Sequence, residues 1–181
     1  MDANTRWLSK AHAEFRKLRN GEVADNLRDQ GIEYKTIWGL ESYRLKEVAS
    51  MLTEQIPDDA ARQQLAESLW AEDVRESKML ATRLYPIALL TAERAAQWAD
   101  DVRYTELADQ LCMHLLSRMA DAPRWIARWI EADSMHRYMA LMLILRLDLT
   151  GHAEQATAIA TDASQPMWLR AAAQRVATAE V

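Results

Sequence analysis

Apolar residues recur along this chain at helical spacing nearly throughout. The spacing predicts a first helix over residues 4–18, ending at "NGE" with Gly21 as its C-cap. A short helix over 23–30 follows, then a loop through Gly31 and "YKTIWG". Residues 41–55 form an amphipathic helix with Leu45, Val48, Ala49 and Leu52 on one stripe. "IPDDA" opens the next helix, because Pro57 followed by Asp58 is an N-terminal signature.

Beyond this point the pattern becomes periodic. Trp70, Trp98 and Trp129 each close a short helix, and a longer helix follows each. Counted from the Trp, position +5 holds Arg75, Arg103 and Ser134, and position +8 holds Lys78, Glu106 and Arg137. Position +11 holds Ala81, Asp109 and Ala140, so a carboxylate replaces a small residue in the middle unit. A weaker fourth unit has Pro166 before its second helix. Helical units of about 28–31 residues are too short to bury a core alone. The expected fold is therefore all-α, a right-handed α-solenoid of HEAT-like repeats, with an irregular α-bundle as the alternative. One domain is expected over 1–181, with N-terminal helices over 1–56 and repeats near 57–86, 87–119, 122–150 and 152–181. The periodic Trp residues are read as packing between helix pairs.

In the second helix of each unit, positions +7, +11 and +15 share a stripe of mixed polarity. The residues are Ser77, Ala81 and Tyr85, then Thr105, Asp109 and Met113, then His136, Ala140 and Ile144. This stripe is expected to be the inner, partly solvated face of the solenoid. Asp109 would sit in it with Lys78 and Arg137 nearby. From the residues alone, Asp109 is either a carboxylate that stabilises developing positive charge or a surface acid paired with an Arg.

Composition narrows the classes. The chain has 181 residues, only 4 Gly and 4 Pro, and seven Trp against one Phe. A net charge of -5 and a pI near 5.4 argue against non-specific coating of nucleic acid, though a local basic groove is compatible with them. The single Cys112 suits a reducing cytoplasm. "MDANTRWLSKAHAEF" lacks a signal-like apolar run, and the longest such run, "YMALMLIL", cannot span a bilayer. His12, His114, His136 and His152 are scattered without ligand spacing, so no metal is expected. There is no Gly-rich phosphate loop.

Three further features bear on binding. Arg124 and Arg128 stand four apart in "APRWIARWIEAD", as do Trp125 and Trp129. The Arg pair forms either a basic stripe for a DNA backbone or the solvated edge of an amphipathic helix. Tyr34 and Trp38, beside Gly39, either stack on a nucleotide or plug the first repeat. Arg75 and Glu76 are expected to bond within the repeat core.

"LAESLWAEDVRESKMLATRLYP" resembles the leucine–tryptophan segment and following helix of the DNA alkylation repair family. "YKTIWGLESYRLKEVA" is similar to its aromatic loop, Gly and helix. "RYTELADQ" falls where the family carries a Trp-Asp-Leu-Val-Asp-like motif, and "SMHRYMAL" where it carries an Arg within a helix. The resemblance covers about residues 21–149. It implies a HEAT-like scaffold that excises N3- or N7-alkylated purines from duplex DNA without metal or cofactor. It sets Asp109 at the catalytic aspartate and Arg137 at the phosphate-contacting arginine. Thr105 stands where the family pattern has Trp, and Glu106 where it has Asp. The alternative function is an inactive helical-repeat scaffold binding a protein or nucleic acid.

Overall fold

The computed structural model describes residues 2–179, which contain eleven α-helices and two short 3-10 turns. They gather in two compact units, divided between Leu90 and Thr91.

The first unit holds α1 (Ala3–Leu18), α2 (Gly21–Asp29), α3 (Ser42–Gln55), α4 (Asp59–Trp70) and α5 (Arg75–Leu84). Polar side chains start several of these helices by accepting orphan backbone N–H groups. Asp2 accepts from Thr5, and Asp58 from Ala61 at 2.7 Å. α1 packs on α3 and α4, and α5 packs on the same two helices. Phe15, Leu45, Leu52, Leu65, Leu69 and Leu80 are buried between them.

Gly21 is not the C-cap of α1. Arg19 ends that helix, and Gly21 begins α2 behind the N-cap Asn20, whose side chain accepts from the Val23 amide. A polar N-cap side chain wins here because it satisfies a donor that a C-terminal glycine could not. Gly31, at φ 81°, is left-handed, and so is Gly39, at φ 76°. A Cβ at Gly39 would lie 2.0 Å from the Asn20 carbonyl oxygen, so the backbones meet at a distance that only glycine permits.

The second unit holds α6 (Ala92–Asp100), α7 (Thr105–His114), α8 (Ala122–Trp129), α9 (Ser134–Arg146), α10 (Ala153–Thr161) and α11 (Met167–Ala179). α9 is the central helix and packs on α7, α8 and α11. Its apolar run is explained by that position: Tyr138 through Ile144 are all buried, as expected of a helix that is apolar on every side. Among the described residues, no helix is long and apolar enough to cross a membrane.

The mixed stripe is not a solvated face along its length. Ser77 and Ala81 are buried on α5 and Tyr85 at its C-cap, and Ala140 and Ile144 are buried on α9. Both helices are packed on more than one side, so small and polar residues enter the core there. The stripe is most open on α7, with Asp109 half-buried and Met113 exposed, while on α9 its first residue, His136, is half-buried. Arg75 and Glu76 do bond within the core, at 2.7 Å.

Candidate active site

Asp109 lies on α7, one turn before the exposed Met113. Its Oδ1 accepts a 3.1 Å hydrogen bond from the Tyr138 hydroxyl on α9. The Tyr138 ring meets Trp168 of α11 edge-on, with centroids 5.7 Å apart. Trp168 is 39% exposed and Met113 42%, so the half-buried carboxylate has partly open apolar side chains on two helices around it. Oδ2 accepts no hydrogen bond from the described residues. It is not sealed from solvent either, so water or a ligand can use it.

Burial pushes the Asp109 carboxyl above its ordinary value, and Glu106 adds to this. The Tyr138 hydrogen bond and the charges of Arg146 and Arg175 act the other way. Burial, and then the neighbouring Asp109, hold the Tyr138 phenol well above its usual range. The phenol thus stays protonated and donates. The fully buried Cys112 thiol is also pushed up by burial and is no nucleophile here.

The sequence missed Tyr138, Arg146 and Arg175 as members of this group. Tyr138 falls inside the longest apolar run, where it reads as core. The Trp that the family pattern has four residues before the aspartate is Thr105, at the first position of α7. An aromatic reaches the site instead from α11, through Trp168.

The two cations expected near Asp109, Arg137 and Lys78, have other engagements. Arg137 donates from Nε to the Ile130 carbonyl at 2.9 Å, from Nη2 to Ala132 at 3.1 Å and from Nη1 to Gln165 at 3.1 Å. Lys78 donates to the Trp70 carbonyl at 2.6 Å and sits 4.8 Å from the centre of the Trp70 ring. Both +8 cations therefore bind the carbonyl end of the Trp helix that precedes them. Unpaired helix-end carbonyls and the negative end of the helix dipole attract such groups. In the middle unit the same position holds Glu106, which cannot donate. Replacing Arg137 by Met is expected to cost about 1–3 kcal/mol, as the carbonyls of a charge-assisted cap lose their donor. Thermal denaturation checks this, and an unchanged Tm would contradict it.

Arg124 and Arg128 do lie on an exposed face of α8, while Trp125 and Trp129 stack on the buried face with centroids 5.5 Å apart. Arg124 is 3.7 Å from Asp121, and Arg128 has no ion pair or hydrogen bond among the described residues. Tyr34 and Trp38 are half-buried in the first unit. The Trp38 amide donates to the buried Glu76, as do the amides of Gly39 and Leu40. The aromatic loop is thus fixed by its backbone. Among the described residues, no group of three or more His, Cys, Asp or Glu could hold a metal ion.

The described residues form an all-helical protein carrying a half-buried carboxylate under a tyrosine hydroxyl, with an open tryptophan beyond it. The chain belongs to the DNA alkylation repair enzyme family, whose model matches residues 11–165. Membership supports a role in DNA repair and implies interaction with DNA. No curated protein and no solved structure matches the chain.

Proposed function

We propose that this protein removes N3- or N7-alkylated purines from duplex DNA by hydrolysis of the N-glycosidic bond, with Asp109 as the catalytic carboxylate. The observation that carries the reading is the state of Asp109: half-buried, held at Oδ1 by Tyr138 and open at Oδ2. An alkylated purine is cationic and leaves readily, so the enzyme must chiefly stabilise an oxocarbenium-like sugar and place a water. A carboxylate in a partly desolvated setting does the first strongly, because its charge is poorly screened there. Its open oxygen does the second. The face of Trp168 offers a cationic base a cation–π partner.

Under this reading Arg124 and Arg128 contact the DNA backbone, and Tyr34 and Trp38 offer aromatic faces to an unstacked base. Lys78 and Arg137 serve mainly by holding the helix ends. We also infer that the helix pairs are HEAT-like repeats of a right-handed solenoid. Two equivalent cations binding equivalent helix ends support a repeated unit, and small-angle scattering tests the shape. The experiment for the activity is release of 7-methylguanine from methylated duplex, compared with Asp109→Asn.

A second reading, a non-catalytic scaffold, is favoured by Thr105 at the family's Trp position and by the net charge of -5. Duplex affinity measured against salt separates a DNA-binding protein from a scaffold for a protein partner. The DNA reading expects a steep loss of affinity with salt, since each neutralised phosphate releases counterions. Absence of duplex binding even at low salt supports a protein partner instead.

A further inference from the structure

We propose that Tyr138 is a positioning residue for Asp109: its hydroxyl fixes one carboxylate oxygen so that the other faces the reacting sugar and water. The proposal rests on the glycosylase reading for its purpose, but its geometry is independent of it.

Asp109 and Tyr138 lie 29 residues apart on packed helices, and their side chains meet at 3.1 Å. A neutral O–H donating to a carboxylate is a charge-assisted bond, and it selects one carboxylate rotamer. Tyr138 is itself held. Its ring is buried, with 7% of the residue exposed, and Trp168 stands against it edge-on. The donor therefore cannot follow Asp109 if the carboxylate turns. With Oδ1 engaged, Oδ2 is the oxygen left for chemistry.

The bond also bears on ionisation. Asp109 faces Tyr138 and Arg146 from α9, Arg175 from α11, and Glu106 and Cys112 from its own helix. Burial and Glu106 favour the neutral acid, whereas Tyr138 and the two arginines favour the carboxylate. Tyr138 is the only one of these groups hydrogen-bonded to Asp109. The expected consequence is a carboxylate that is ionised and singly oriented before substrate arrives, which is the preorganisation an electrostatic catalyst needs.

The test is a carbon-13 NMR titration of the whole protein, labelled at Asp Cγ and Tyr Cζ, with Tyr138→Phe as the variant. In the wild type, the Tyr138 Cζ resonance is expected to shift through the Asp109 midpoint. In Tyr138→Phe, which keeps the ring, the Asp109 midpoint is expected to move to higher pH. Base release by the variant should then fall about tenfold at acid pH, as a charge-assisted bond is lost, and recover in part as the pH rises. An Asp109 midpoint unmoved in the variant overturns the proposal. So does a wild-type Tyr138 Cζ resonance indifferent to Asp109, a reading that needs no variant to fold. The titration requires no turnover. A wild type that releases no base sinks the glycosylase reading alone and leaves the Tyr138 result standing.

Discussion

Replacing Glu76 by Ala is expected to destabilise the first unit by about 3–5 kcal/mol, the usual cost of breaking a buried ion pair from one side. Glu76 has no solvent exposure and Arg75 only 4%. The carboxylate accepts the Trp38, Gly39 and Leu40 amides at 2.9, 3.0 and 3.2 Å. It also takes the Arg75 guanidinium at 2.7 Å, which in turn donates to the Leu40 carbonyl at 3.0 Å. Alanine would leave one buried cation, two buried N–H groups and one partly buried N–H without this acceptor. The loop could not be held elsewhere, because Gly39 already packs against the Asn20 backbone. A domain is stable by only about 5–15 kcal/mol, so this loss is a large share. Urea denaturation measures it. Glu76→Gln is a graded control: it keeps an acceptor oxygen but turns an NH2 toward backbone donors, and should fall between. A loss below about 1 kcal/mol for Glu76→Ala would contradict this account.

Asp109→Asn is the second expectation, and it pairs a large effect on activity with little on stability. Asparagine has the same shape and keeps an oxygen for the Tyr138 hydroxyl. It removes the charge. Loss of base release of about 100- to 1,000-fold is expected, the range seen when a preorganised electrostatic group is removed. Stability should hold or rise. Burial raises the Asp109 carboxyl above its unfolded value, so folding disfavours the ionised form. The penalty is absent below the unfolded value and grows as pH rises through the folded one. A neutral amide escapes it. Such a stability cost at one residue is what a site kept for function carries.

Helix pairs were legible because Trp70, Trp98 and Trp129 set a period that the turn-poor chain does not interrupt. The odd residue of that period, Asp109, was legible for the same reason. Its partner was not. Tyr138 sits in an apolar run, and nothing in "YMALMLIL" says that one hydroxyl there meets a carboxylate on another helix. The pairing of α7 with α9 decides it. Lys78 and Arg137 stand at a recurring position, but a cation in sequence does not say whether it faces solvent or the end of the preceding helix. Arg75 and Glu76 are legible as core partners, while their grip on a loop more than thirty residues upstream follows only from how the first unit folds. Gly21 reads as a helix end because glycine often stands there, but Asn20 offers the stronger local bond.

The most direct measurement is single-turnover release of 7-methylguanine from methylated duplex by the wild type and by Asp109→Asn, with folding of both checked by thermal denaturation. The account predicts release by the wild type and its near loss in an equally stable variant. No release by the wild type, or equal release by both, would contradict it.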